Sequence, residues 1–154
     1  MLRNVLLGMA AGAAGTTALN IVTYMDMAIR GRGSSSVPAD VVGTIAEKTG
    51  TQLGEEDSVV QSRKSGLGGL LGYETGLGIG AVYGLIRSPR SDLPASLAGV
   101  GLGAAAMVAS DVPATALGVT NPKEWTLSSW LSDIIPHLAY GIVTALVMDQ
   151  FRRR

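Results

Sequence analysis

Long apolar runs, broken by short polar or basic segments, dominate the pattern of this 154-residue chain. A helix needs about 20 mainly apolar residues to cross the hydrocarbon core of a bilayer, and four runs approach or exceed that length. The predicted spans cover about residues 5–29, 67–86, 93–117 and 134–148. The pattern therefore predicts an all-α fold: an integral membrane four-helix bundle that forms one domain over residues 1–154.

The polar segment of about residues 30–66 is predicted to be an outer loop that is partly helical. Pro38 suits the first turn of a short amphipathic helix, and Gly50 can end that helix. The acids at 55–57 favour the start of a further helical stretch, which can continue into the second span.

The distribution of basic residues predicts that both termini are cytoplasmic. Raw counts of Lys and Arg tie between the two sides, so the orientation depends on their density. The short turn at 87–92 and the tail at 152–154 are rich in arginine with little acid, whereas the basic residues of the 30–66 loop are mixed with acidic ones. These compact basic segments are therefore assigned to the cytoplasm.

Composition supports a membrane protein and excludes several kinds of site. Charged residues make up 16 % of the chain, against about 25 % in ordinary soluble domains. The formal net charge is zero, so nothing indicates a nucleic-acid partner. The absence of cysteine excludes disulfides, cysteine-ligated zinc, iron–sulfur clusters and a thiol nucleophile. We expect no cofactor.

Glycine recurs at every fourth position of the second span, and small residues repeat in the third. The predicted helix-packing seam consists of Gly68, Gly72, Gly76, Gly80, Gly84, Gly99 and Gly103. Such a glycine zipper lets helix backbones approach closely in lipid. One interpretation is packing inside a monomeric bundle, and the other is contact between copies in a homo-oligomer.

Ionisable residues inside or at the edge of the spans are the candidate functional groups, because burying them in a bilayer is costly. They are Asp26, Glu74, Asp111, Asp133 and His137. In the predicted topology all five lie in the outer third of the bilayer, which predicts a buried proton or cation site. Supporting hydrogen bonds are expected from Asn20, Tyr24, Tyr73 and Tyr140.

Spacing leaves several roles open for these residues. Asp133 and His137 are four residues apart, which suits an ion pair, a proton relay or two metal ligands on one helix face. Asp133 could instead cap the fourth span, and Asp26 could simply pair with Arg30. Glu74 lies opposite the glycine seam, so either Glu74 or the seam faces the bundle interior. Without a recognisable metal-binding motif, no metal site is predicted.

Three segments carry a resemblance to a known family. They are TYMDMAIRGR at 23–32, SDVP at 110–113 and WLSDIIPHLAYG at 130–141. Together they resemble an uncharacterised family of small bacterial four-helix integral membrane proteins, and the likeness covers most of the chain. The resemblance implies a location in the bacterial plasma membrane and brings no activity with it.

Three hypotheses for function follow. The first is a non-enzymatic subunit, assembly factor or homo-oligomeric component of a larger membrane complex, with the lipid bilayer as its surroundings. The second is a proton- or cation-coupled transporter or channel that uses the carboxylate–histidine cluster. The third is a membrane enzyme with His137 and an acid as a general acid–base pair, for which no catalytic motif is present.

Overall fold

The computed structural model of the chain describes residues 1–87 and 94–153. Within these ranges the protein consists of helices and connecting segments, with no strand, which confirms the all-α prediction there. All but Arg87 of the predicted basic turn at 87–92, the start of the third span at Leu93 and the terminal Arg154 lie outside the described residues. The helices are α1 (Leu2–Arg30), α2 (Val37–Thr49), α3 (Asp57–Ile86), α4 (Ala95–Ala116) and α5 (Leu127–Arg153), with a 3-10 turn at Pro122–Glu124.

Three of these helices are long and apolar enough to cross a membrane. They are α1, α4 and α5, with 29, 22 and 27 residues and mean hydropathies of 1.6, 1.5 and 1.5. Helix α3, which contains the predicted span 67–86, is the longest helix described, yet it is not one of the three. Glu74 and the frequent glycines of α3 lower its mean hydropathy.

Helices α1 and α3 run antiparallel with their backbones in close contact. A Cβ atom added to Gly80 would overlap the carbonyl oxygen of Gly8, and one added to Gly12 would overlap the carbonyl oxygen of Gly76. Thr16 also lies directly against Gly76. Only glycine permits this approach, because any side chain would separate the two backbones.

The glycines of the predicted seam therefore do not all share one neighbour. Gly76, Gly80 and Gly84 face α1 of the same chain, whereas Gly68 lies against Pro38 of α2. Beyond the adjoining backbone of α3, Gly72 has no described residue within 4 Å of the position that its Cβ would take. The stripe is thus divided between two helices of the chain, with one glycine left open.

Helices α4 and α5 pack in a similar way. A Cβ atom on Gly99 would lie 2.8 Å from the Cα of Ile142, and one on Gly103 would lie 2.7 Å from the carbonyl oxygen of His137. Gly141 of α5, which the sequence interpretation did not include, completes this contact by lying directly against Gly99.

The long helices are arranged in the spatial order α3, α1, α5 and α4. Helix α5 packs against both α1 and α4, and its side chains Tyr140, Thr144 and Met148 are completely buried. Helices α3 and α4 make few contacts with each other, so the bundle is weakly closed on that side. Helix α2 packs mainly against the first half of α3.

Helix α5 begins at Leu127, well before the predicted start of the fourth span near residue 134. The hydroxyl of Thr126 accepts a 3.1 Å hydrogen bond from the backbone N–H of Ser129, which caps the helix. Asp133 therefore lies about two turns inside α5, not at its N-terminus as one interpretation had it. Pro136 is also inside the helix and cannot donate to the carbonyl of Ser132.

Candidate functional site

Asp26 joins the end of α1 to the start of α5. Its carboxylate accepts hydrogen bonds from Arg30 at 2.7 Å and from Arg32 at 2.5 Å. Arg30 also donates to the hydroxyls of Ser128, at 2.6 Å, and Ser132. The pairing with Arg30 that spacing had suggested is therefore present. Asp26 is neutralised by two arginines and forms a link between helices.

Asp133 and His137 form a pair on one face of α5, as their spacing of four predicts. The Nδ1 atom of His137 lies 2.8 Å from the carbonyl oxygen of Asp133 and 3.3 Å from its carboxylate Oδ1. Because a carbonyl can only accept, this geometry requires a proton on Nδ1. In the neutral ring Nε2 is then the atom that can take up a proton.

Asp111 of α4 completes this group, which we call the acid–histidine cluster: Asp111, Asp133 and His137. The carboxyl group of Asp111 lies beside that of Asp133 and within electrostatic reach of His137. The other carboxylate oxygen of Asp133, Oδ2, is buried and has no hydrogen-bond partner in the described part of the chain. The cluster therefore brings two facing carboxyls and one imidazole together at the α4–α5 contact.

Glu74 does not join the acid–histidine cluster, contrary to the prediction of one layer of five ionisable residues. It is exposed on α3 and lines an open groove between α2 and α3. Its position along α3 is close to that of Gly76, which packs against Thr16. Asp26 lies ten residues further along α1 than Thr16, or about 15 Å at 1.5 Å per residue. Glu74 lies outside the cluster because the glycines of α3 face α1. The opposite face of α3, which carries Glu74, is therefore directed away from the bundle.

Of the four residues predicted to supply hydrogen bonds, Tyr140 forms one between helices. The hydroxyl of Tyr140 in α5 donates to the carbonyl oxygen of Gly76 in α3 at 2.7 Å. Tyr24 and Tyr73 are exposed, and together with Asn20 their side chains make no hydrogen bond to other described residues. Tyr140 therefore supports helix packing, away from the acid–histidine cluster.

A second polar group, which the sequence interpretation missed, lies at the opposite end of the bundle. Asp149 of α5 pairs with Arg87 at 3.3 Å and with Arg152 at 3.6 Å. Arg87 is buried and lies over the ring of Tyr83, with its guanidinium carbon 5.8 Å from the ring centroid. The signal for this group was Asp149 itself, a single acid just before an arginine-rich tail.

The chemistry available at the acid–histidine cluster is proton exchange or weak cation binding. Two carboxyls and an imidazole can each accept a proton, and they lie on adjacent helices. Among the described residues, no group of three or more His, Cys, Asp or Glu side chains is arranged to hold a metal ion. Nothing in the arrangement resembles an activated nucleophile, since no serine or threonine hydroxyl bonds to His137 in the described part.

Comparison with known proteins leaves the family of this chain open. No family model matches it, and no curated protein or solved structure matches it either. Residues 1–87 and 94–153 form helices and connecting segments, and three of the helices in these ranges are long and apolar enough to cross a membrane.

Proposed function

We propose that this chain is a four-span protein of the bacterial plasma membrane, with cytoplasmic termini, from the family that its motifs resemble. The close packing of α3 against α1 supports a fourth span. Gly84 lies beside Asn4 and Gly80 beside Gly8, so the second half of α3 follows a helix that is long and apolar enough to cross a bilayer. A helix in such contact lies at the same depth as its neighbour.

The role we propose is that of a non-enzymatic component: a subunit or assembly factor that works through contact with other membrane helices. The weakly closed side of the bundle between α3 and α4 carries this proposal. Both helices also expose apolar side chains, among them Val82 and Leu85 of α3 and Leu97 and Val100 of α4. Contiguous exposed apolar surface marks contact with lipid or with another protein.

Native mass spectrometry of the protein, extracted from its own membrane in a mild detergent, tests this role. We expect a discrete oligomer or a complex with another membrane protein. Replacing Val100, exposed on α4, by the bulkier Trp should reduce that complex, whereas the same change at Ile21, exposed on α1, should not. A strictly monomeric protein that co-purifies with nothing would contradict the proposal.

The acid–histidine cluster favours a second candidate function, proton- or cation-coupled transport. The observation behind it is the buried Oδ2 of Asp133, which lacks a partner in the described chain although it lies beside Asp111 and His137. Ionisable groups that face other helices in a membrane are typical of proton pathways. The cluster is near one end of the bundle, so a complete path would need further groups from a partner.

Proton flux into proteoliposomes under an imposed pH gradient distinguishes the two functions. If the cluster conducts, Asp133→Asn and His137→Gln should each abolish flux above the empty-liposome background. Glu74→Gln is the matched control, because Glu74 lies outside the cluster, and its flux should equal that of the unmodified protein. Flux at background level for the unmodified protein would contradict this second function.

A further inference from the structure

An open groove lies between α2 and α3, and Glu74, which stands outside the acid–histidine cluster, is part of its lining. It encloses about 420 Å³ and includes the segment that follows α2. Its walls are mainly apolar and are formed by Val42, Ile45, Leu53, Leu67, Leu70 and Leu71. Glu74 is the one ionisable side chain among the residues that line it. The groove thus combines an apolar surface with a single carboxylate at one end of the lining stretch of α3.

The walls of the groove are held in place by specific contacts. Arg63 donates a 2.7 Å hydrogen bond to the carbonyl oxygen of Leu53. Gly68 lies against the backbone of Pro38, which brings α2 close to α3. Gly50, with φ 69°, ends α2 and donates to the carbonyl of Glu47 at 3.2 Å. These contacts position α2 and the following segment, so the groove is a formed feature of the fold.

Glu74 has no partner within the described residues: it makes neither a hydrogen bond nor an ion pair there. The two nearest basic side chains along α3 are used elsewhere. Arg63 bonds to Leu53, and the side chain of Lys64 packs against Gly43 of α2. An exposed carboxylate at the edge of an apolar surface can pair with a cationic group, which donates charge-assisted hydrogen bonds to it.

A second copy of this chain does not supply such a partner. The stretches 4–29, 65–86, 94–122 and 124–151 contain no Lys or Arg, so the basic residues of the described chain lie near the ends of its helices. Glu74 lies well inside α3, close to the level of Thr16 in α1. A copy inserted in the same orientation would offer no Lys or Arg at that depth.

We propose that the groove binds an amphiphile with a cationic head, such as a long-chain amine or quaternary ammonium compound. The ammonium group pairs with Glu74, and the apolar chain lies along Leu67, Leu70 and Leu71. A lipid without a cationic group would leave the carboxylate without a cation, and an anionic lipid would be repelled by it. The supply of such ligands from the bilayer rests on the proposed membrane insertion of α3.

Photolabelling of the full-length protein in non-ionic detergent tests this site. The probe is a dodecyltrimethylammonium compound with a diazirine in its chain, and its adducts are located by mass spectrometry. We expect adducts on α2 and on residues 67–74 of α3. Glu74→Gln should lower labelling at half-saturation about tenfold, the change that accompanies loss of one charge-assisted contact. Glu74→Asp should retain part of it.

Two controls separate charge recognition from general partitioning. Asp57→Asn removes an exposed acid at the start of α3, outside the groove, and should leave labelling unchanged. A neutral probe, a dodecanol with the same diazirine, should label the groove weakly and equally in the unmodified protein and in Glu74→Gln. Equal labelling of Glu74→Gln and the unmodified protein by the cationic probe, or adducts confined to other helices, would overturn the proposal.

The chain contains no cysteine, which allows a direct test of the competing occupant. Leu70→Cys should form little disulfide between copies in membranes when oxidised. Efficient cross-linking that the cationic amphiphile does not inhibit would assign the groove to a second copy and overturn the proposal. Photolabelling is measured in detergent, so it does not depend on the proposed membrane topology. A wrong topology and a wrong assignment of the groove can therefore be distinguished.

Discussion

Tyr140 shows how one side chain can join helices that the sequence treats as separate. It is 1 % exposed, belongs to α5, and donates to the carbonyl oxygen of Gly76 in α3. This contact is possible because Gly76 has no side chain to cover its carbonyl. Tyr24, also a tyrosine of a long helix, is 62 % exposed and has no such role. Position in the fold, not residue type, separates the two.

Removing the Tyr140 hydroxyl should therefore destabilise the protein modestly. We expect Tyr140→Phe to lower the free energy of unfolding by about 1 kcal/mol, since the ring still fills its site while one buried hydrogen bond is lost. The midpoint of thermal unfolding in detergent should fall by roughly 2–4 °C. Tyr24→Phe is the matched control and should not shift it. An equal shift in both variants would contradict the assignment.

The facing carboxyls of Asp111 and Asp133 lead to a second prediction at this scale. Asp111→Asn should raise the thermal midpoint at pH 8 by about 2 °C, because like charges at close range destabilise the fold. Asp133→Asn should lower it, because His137 loses its carboxylate partner, 3.3 Å away. If Asp111→Asn instead lowered the midpoint, and added sodium raised that of the unmodified protein, the cluster would be a cation site.

At the scale of helices, glycine determines which pairs pack and which faces stay open. Gly80 and Gly8 let α3 lie directly on α1, and Gly141 and Gly99 do the same for α5 and α4. Because α3 uses its glycine face for α1, the opposite face with Glu74 is directed outward. The contact inside the chain also covers most of the stripe, so a partner helix would have to use another face.

The glycines of α3 provide a matched pair of variants for this arrangement. Gly80→Ala should cost about 1–3 kcal/mol, because its Cβ would overlap the backbone of α1, which cannot move without separating the helices. Gly72→Ala should be neutral or stabilising by up to about 1 kcal/mol, since nothing lies within 4 Å and alanine favours helix. Thermal unfolding in detergent measures both. Equal destabilisation would indicate that Gly72 is also covered, for instance by a partner.

At the scale of the whole molecule, polar groups lie at both ends of the long helices. One end holds Asp26 with its two arginines and the acid–histidine cluster, and the other holds Asp149 with Arg87 and Arg152. Between them, the stretches without Lys or Arg expose many apolar side chains, and the exposed Glu74 of α3 is the exception on which the groove proposal depends. This distribution is expected of helices that span a bilayer, whose interior excludes charge.

Cysteine labelling tests the proposed four-span topology with cytoplasmic termini. Ser34→Cys, in the segment between α1 and α2, should react with a membrane-impermeant maleimide in intact cells or spheroplasts. Arg153→Cys, at the end of α5, should react only after permeabilisation. The unmodified chain has no cysteine and is the blank. The reverse pattern would invert the orientation, and labelling of both from outside would exclude three crossings between the two positions.

The sequence by itself determined the properties that follow from local pattern. Apolar length predicted the helices. Four-residue spacing made a pairing of Asp133 with His137 and of Asp26 with Arg30 one of the roles left open, because neighbours on a helix are set by its pitch. The tertiary structure decided which helix faces meet. Helix α5 starts at Leu127 and so includes Asp133. The glycines of α3 pack against α1, and this contact directs Glu74 outward. For contacts between distant residues such as Arg87 and Asp149, the local sequence marks the acid but not its partner, because the partner depends on how whole helices pack.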